Sequence, residues 1–116
     1  MTLALAALET FVNVDADDLP DDLVAIPADL PDRLARRRVD PATLPAGWRS
    51  WPGPDALRDI GTRWVRAATS VALRVPSAVI DEPEEETALL NPMHADFASV
   101  TVGAARPFGL DARMRR

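Results

Sequence analysis

The apolar residues at the beginning of the chain repeat with the spacing of an α-helix. Leu5, Leu8 and Val12 stand at positions i, i+3 and i+7 in a segment rich in good helix formers. Glu9 follows Leu5 by four residues and therefore lies on the same stripe. Because a carboxylate on an apolar face needs a polar partner, the pattern predicts a first helix over Thr2–Val12 that directs Glu9 inward.

The rest of the chain contains one further helical pattern and several short apolar runs. Asp55–Ala68 has the broad apolar face of a second helix, with Trp64 in that face. Apolar runs that stop at turn residues predict strands. These runs are Leu23–Pro27, Val71–Pro76, Thr87–Leu90 and Ser99–Ala104, the last with Val100 and Val102 facing inward.

The remaining segments are less regular. The predictions are a short helix over Asp32–Arg38, a loop over Pro41–Pro54, an extended piece at Ala78–Ile80, an acidic loop over Asp81–Glu86, a helical turn at Ala95–Phe97 and a terminal helix or tail over Leu110–Arg116. The order of helix, strand, helix and several strands predicts an α+β fold, a small mixed or antiparallel sheet with flanking helices. The length suits one domain over residues 1–116.

Composition excludes several classes of function. The formal net charge of −5 disfavours a general nucleic-acid binder, because phosphate contacts need clustered cations. The absence of cysteine excludes disulfides and thiolate metal sites, and His94 is the single histidine, so we expect no metal. No apolar run is long enough for a membrane helix, and no basic stretch precedes the first apolar run as in a signal peptide. A cytoplasmic protein is therefore expected.

One basic cluster stands apart from this acidic background. Arg36, Arg37 and Arg38 are consecutive, and they form either a solvated surface or an anion-binding patch. Glycine-rich phosphate loops and dinucleotide-binding fingerprints are absent from the sequence. Ser77 and His94 lack the glycines of a nucleophile elbow, which disfavours a serine hydrolase.

Three segments in order along the chain together resemble the RES domain family. They are Leu5–Asn13, with a glutamate inside an apolar helix, Ser70–Val79, with a strand followed by Pro76-Ser77, and Leu89–Phe97, with Asn91-Pro92 and then His94 and Phe97. The closing Arg106-Pro107-Phe108 and Leu110–Arg113 also fit that family. Asn13 departs from the pattern, since the family usually has a histidine there.

The resemblance implies a fold like that of ADP-ribosyltransferases and a role as the toxin of a bacterial toxin–antitoxin pair. Members of the family cleave NAD at the nicotinamide–ribose bond, with phosphate or water as acceptor, so NAD is a substrate and no cofactor is implied. The implied partner is a helix-turn-helix antitoxin of the Xre type whose C-terminal part blocks the active site. A homo-oligomer is left open.

Four side chains recur in the family's active site: an arginine, a tyrosine, a glutamate and a serine. Glu9 matches the glutamate and Ser77 the serine, so both are predicted to be catalytic. Ser77 and Asn91 are predicted to contact substrate, although Asn91 also suits a plain turn before Pro92. Cleavage of an N-glycosidic bond passes through an oxocarbenium-like transition state, which a nearby carboxylate stabilises.

One departure from the family affects the expected activity. The family's arginine and tyrosine precede the glutamate helix, whereas this sequence has no tyrosine. We therefore expect a RES-like domain that lacks its N-terminal segment and is impaired or inactive as a NAD-cleaving enzyme. The alternative is a non-catalytic remnant or a module that only binds the antitoxin.

Overall fold

The computed structural model describes residues 1–115, which form two α-helices and seven short β-strands. Helix α1 is Leu3–Phe11. Thr2 is its N-cap, and the Thr2 hydroxyl accepts a hydrogen bond from Leu5 N at 3.1 Å. This N-cap agrees with the predicted helix start. Leu5 is buried, but Val12 is 56% exposed, because the helix ends at Phe11. The predicted apolar stripe is therefore buried only in its first part.

Helix α2 is Ala56–Ala67, as predicted, and it buries Trp64. It ends at Ala68, which adopts a left-handed conformation with φ of 50° and donates its N–H to Trp64 O at 3.1 Å. The rest of the predicted apolar face is less covered than the pattern indicates, since Val65 is 40% exposed.

A three-stranded sheet forms the centre of the described fold. Its strands are β3 (Arg36–Arg38), β4 (Ala72–Pro76) and β5 (Glu86–Leu90), in the order β3-β4-β5. β3 runs parallel to β4, and β5 runs antiparallel to it. The sheet is mixed, so the predicted α+β class with a small mixed sheet is confirmed.

Two pairs of very short strands join the first part of the chain to the last. β1 (Val24–Ala25) pairs with β7 (Arg106–Pro107), and β2 (Ala28–Asp29) pairs with β6 (Thr101–Val102), both antiparallel. The predicted strand over residues 23–27 is therefore confirmed at its centre. The strand predicted over residues 99–104 shrinks to two residues, and the inward position of Val102 is wrong, because that side chain is 65% exposed.

Residues 32–38 do not form the predicted helix, since their last part is the edge strand β3. The Arg36 guanidinium donates to four carbonyl oxygens of residues 30–34, which stabilises a turn there. The backbone beyond that turn then pairs with β4, more than thirty residues away in the sequence. A pairing partner so distant overrides local helix propensity.

Two other assignments change in detail, and the two expected helical turns are present. Residues 78–80 form a bend instead of an extended piece, and Glu86 belongs to β5 instead of the acidic loop. Ala95–Ser99 is a short 3₁₀ helix, as expected for a helical turn, and another covers Ala112–Arg115. Arg116, the end of the predicted terminal helix, lies outside the described residues.

The apolar core lies beside β4. Leu34, Val71 and Ala72 are buried together, and the half-buried residues packed against them are Leu30, Leu90, Phe97 and Val100. Within residues 1–115, no helix combines the length and the apolar character needed to cross a membrane.

Candidate active site

Glu9 and Ser77, which the sequence predicts as catalytic, meet in the structure. α1 presents Glu9, and Ser77 directly follows β4. The Ser77 hydroxyl donates a hydrogen bond to Glu9 Oε1 at 3.0 Å across a separation of 68 positions. The hydroxyl of Thr87, on β5, lies 3.3 Å from the same oxygen and donates a second, longer hydrogen bond. The first helix and the two antiparallel strands therefore hold one carboxylate oxygen in place.

The remaining contacts of Ser77 show that its hydroxyl is fully occupied. The side chain is buried, and Oγ accepts hydrogen bonds from Val79 N and Ile80 N, both at 3.1 Å. A hydroxyl has one donor and two acceptor sites, and all three are used here. Ser77 therefore orients Glu9 and closes the turn after β4. Its predicted direct contact with substrate stays a prediction.

One oxygen of the Glu9 carboxylate has no hydrogen-bond partner among the described residues. The Glu9 side chain is half-buried, and Oε2 makes no hydrogen bond or ion pair with any other described residue. A carboxylate that is fixed through one oxygen and unpaired at the other can stabilise positive charge that develops beside it. This geometry fits the role that the sequence assigns to Glu9.

Arg49, from the loop before α2, restrains the turn that contains Ser77. Its guanidinium donates to Ile80 O at 3.0 Å and lies 3.0 Å from a carboxylate oxygen of Asp81. The same guanidinium stacks 4.7 Å above the ring of Trp48. Because Asp81 is almost fully exposed, its ion pair contributes little. The bond to the Ile80 carbonyl is therefore the contact that restrains the turn.

Asn91, the predicted substrate contact, lies apart from this pair. It is fully buried, its Nδ2 donates to Val65 O at 3.2 Å, and its Oδ1 accepts from Met93 N at 3.0 Å. It follows the end of β5 that is remote from Thr87, about 13 Å along the strand at the usual rise per residue. Glu9 and Ser77 are thus in direct contact, whereas Asn91 is not part of their site. Asn91 instead connects the turn after β5 to α2.

A wide cleft of about 930 Å³ opens beside the Glu9 pair. One face of α1 lines it through Ala6 and Thr10, and the sheet lines it through Ala72, Arg74 and Glu86. Glu9 and Ser77 are not among the lining residues, although their neighbours Thr10 and Thr87 are. The cleft therefore borders the pair without containing it.

Two residues of this arrangement are absent from the sequence predictions. Thr87 is an ordinary strand residue in the sequence, and only its pairing opposite Val75 brings it to Glu9. Arg49 lies in a loop next to Trp48, and an arginine beside a tryptophan is the one local signal for it. Among residues 1–115, no group of three or more His, Asp or Glu side chains could hold a metal ion.

Residues 1–111 match the model of the family described as RES domain. The chain is 34% identical over 115 residues to the "Prs ADP-ribosylating toxin" of Sphingobium sp. (strain YBL2), covering 97% of this chain and 70% of that protein. It is 33% identical to a "Toxin Res" of Photorhabdus laumondii, covering 97% and 71%, and 31% identical to a "Toxin Res" of Yersinia enterocolitica, covering 98% and 74%. The matched family range contains Glu9 and Ser77.

Proposed function

Because this chain belongs to the RES domain family, we propose that it is a RES toxin whose substrate is NAD. The proposed reaction is cleavage of the bond between nicotinamide and ribose, with phosphate or water as the acceptor. The proposed partner is a helix-turn-helix antitoxin of the Xre type. Relatives that are named as toxins support this proposal.

The observation that supports the chemistry best is the hydrogen bond between Ser77 and Glu9. It joins the two residues that match the family's serine and glutamate, at 3.0 Å. Loss of nicotinamide leaves positive charge on the ribose ring, as in other oxocarbenium-like transition states. In the proposed role, the unpaired Oε2 of Glu9 faces that charge, while Ser77 and Thr87 keep the carboxylate from rotating.

We expect the activity of the 116-residue chain by itself to be low. The resemblance implies a tyrosine in the active site, and this sequence contains none. Catalytic groups that act as a unit lose most of their effect when one is missing. Slow turnover that depends on Glu9 is therefore the expected behaviour of this chain.

The test is release of nicotinamide from NAD at a protein concentration above that of NAD, followed by chromatography. We expect slow release above the protein-free blank, and we expect Glu9→Gln to return the rate to that blank. The matched control is Glu82→Gln, the same substitution in the exposed part of the acidic loop. Mass spectrometry of the product with and without phosphate identifies the acceptor. Release that is unchanged by Glu9→Gln would contradict the assignment.

The missing tyrosine also favours a second candidate, a non-catalytic module that binds the antitoxin. This candidate predicts blank-level nicotinamide release from the unmodified chain together with a stable complex with a helix-turn-helix antitoxin. The same release assay, combined with size-exclusion chromatography of the mixture, separates the two candidates.

A further inference from the structure

Arg38 and Arg74 lie side by side on neighbouring strands and share one carboxylate. They are register partners in the parallel pair of β3 and β4. Arg38 Nε and Arg74 Nη2 each lie 3.2 Å from Glu86 Oε1. Like charges opposite one another on a sheet repel, and Glu86 offsets that repulsion only in part. Two guanidinium groups and one carboxylate leave one net positive charge in this cluster, which we call the Arg38–Arg74 pair.

The exposure of the cluster is unequal. The side chain of Glu86 is 10% exposed, whereas those of Arg38 and Arg74 are 48% and 52% exposed. Each guanidinium has several N–H donors in a rigid fork. Apart from the bonds to Glu86, these donors have no partner within residues 1–115. The carboxylate is thus largely covered, while both arginine side chains are about half exposed and keep donors that have no partner within residues 1–115.

The cleft leaves room for a ligand at the free donors of Arg74. Arg74 and Glu86 line the 930 Å³ cleft, where the adjacent sheet positions are the small residues Ala72 and Ala88. Arg38 is not among the lining residues, and its guanidinium reaches the edge of the cleft through Glu86, which it shares with Arg74. The exposed Glu84 and the half-buried Glu85 also line the cleft. Arg36 also lines the cleft, but its guanidinium is occupied by backbone carbonyls of residues 30–34. Arg38 and Arg74 are therefore the arginines of this sheet face whose donors remain available.

We propose that the Arg38–Arg74 pair is a binding site for a phosphate group, with Glu86 as a built-in competitor. The planar fork of arginine matches phosphate oxygens with two parallel hydrogen bonds. Without a ligand, Glu86 holds the two guanidinium groups together. A phosphate group accepts hydrogen bonds from the donors that Glu86 leaves free. It also neutralises the positive charge that remains on the two guanidinium groups beside Glu86.

The source of the phosphate group rests on the proposed function. In that reaction, phosphate chemistry enters either as free inorganic phosphate, the acceptor, or as the diphosphate bridge of NAD. Both present the same oxygens to an arginine fork. Thr87, which donates a hydrogen bond to Glu9, lines the same cleft as Arg74 and Glu86, although alternation along β5 places its side chain on the other face of the sheet.

The first experiment measures binding of inorganic phosphate by calorimetry in low-salt chloride buffer, which requires no catalysis. We expect Arg38→Gln and Arg74→Gln each to weaken binding about tenfold, because each removes a charged hydrogen-bond partner. Glu86→Gln is expected to tighten binding several-fold, because it removes the competing charge. The matched control is Arg37→Gln, since alternation along β3 places Arg37 on the opposite face of the sheet.

These substitutions give a pattern that a purely structural ion pair would not. A structural pair predicts no tightening with Glu86→Gln. Thermal unfolding shows whether each variant is folded, and Arg74→Lys, which keeps the charge without the fork, is expected to weaken binding less than Arg74→Gln. No phosphate binding at millimolar concentration, equal effects of Arg37→Gln and Arg74→Gln, or weaker binding by a folded Glu86→Gln variant would overturn the proposal.

A second experiment separates the two sources. NAD that displaces phosphate, with nicotinamide riboside failing to do so, assigns the site to the diphosphate bridge. NAD and phosphate that bind together assign it to the acceptor. Phosphate binding with the expected variant pattern, but without any nicotinamide release, would support the site while contradicting the proposed reaction.

Discussion

Ser70 has no exposed surface, and its hydroxyl connects α2 to β4. It accepts a hydrogen bond from Trp64 Nε1 at 2.9 Å and donates one to Ala72 O at 2.9 Å. Trp64 is the buried residue of α2, so its indole N–H needs this partner. One serine thereby fixes the helix against the strand that ends at Ser77.

Ser70→Ala is expected to lower the free energy of unfolding by about 1–3 kcal/mol, because it leaves the buried indole N–H unpaired. Urea denaturation followed by tryptophan fluorescence measures the change. The control is Ser99→Ala, at a half-buried serine whose side chain makes no hydrogen bond within residues 1–115. Equal midpoints for the two variants would contradict the importance of the Trp64–Ser70 bond.

The C-terminal end of α2 has an unusual backbone conformation. α2 ends on Ala68 in the left-handed region, with φ of 50°. This conformation is unfavourable for a residue with a Cβ atom and is normally given to glycine at the end of a helix. α2 therefore contains a local conflict between sequence and backbone at the point where it turns toward Ser70.

Ala68→Gly is expected to raise the free energy of unfolding by about 1 kcal/mol, since glycine adopts the left-handed conformation without a Cβ penalty. The neighbouring Ala67→Gly is expected to act in the opposite direction by up to about 1 kcal/mol, because Ala67 lies within the helix. Thermal and urea unfolding of both variants give the two signs. Destabilisation by Ala68→Gly would contradict the backbone conformation described.

Elements defined by a local pattern were predictable from the sequence, and elements defined by a distant partner were not. α1, α2, β4 and β5 each have their own periodicity or apolar run. β3 is a run of arginines that becomes a strand only by pairing with β4. Local residue preference cannot show such a pairing, which is why a helix was predicted there.

The candidate site also contains residues that the sequence predicts and residues that only strand pairing brings together. Glu9 and Ser77 were found because they lie in segments that resemble a known family, and Glu9 also lies on a helix stripe. Thr87 and the Arg38–Arg74 pair depend on strand register, which the sequence does not reveal. Asn91 was predicted as a substrate contact or a turn residue, and its hydrogen bonds agree with the turn.

At the scale of the whole molecule, the chain has a larger accessible surface and a larger radius of gyration than a compact domain of its size. Its accessible surface is 8201 Å², whereas a compact monomer of this mass has about 6,200 Å². Its radius of gyration is 15.6 Å, compared with about 13 Å for a compact domain of this length. Part of the excess lies at the cleft, where Val24 and Ile26 are each more than half exposed.

The open cleft predicts that the folded chain binds a hydrophobic dye such as ANS under native conditions. Ile26→Ser is expected to reduce the fluorescence of the bound dye, because Ile26 lines the cleft. Met93→Ser is the control, since Met93 is 85% exposed but does not line the cleft, and it should change the signal less. Equal effects of the two substitutions would show that the dye does not report on the cleft.

The hydrogen bonds of Glu9 also have a consequence for the time at which chemistry can begin during protein synthesis. Glu9 precedes its partners Ser77 and Thr87 in the chain by 68 and 78 positions. Glu9 therefore leaves the ribosome before the residues that orient its carboxylate, Ser77 and Thr87, have been added to the chain. If the proposed NAD cleavage depends on that orientation, a nascent chain remains harmless to the cell until Thr87 has been added and β4 and β5 have paired.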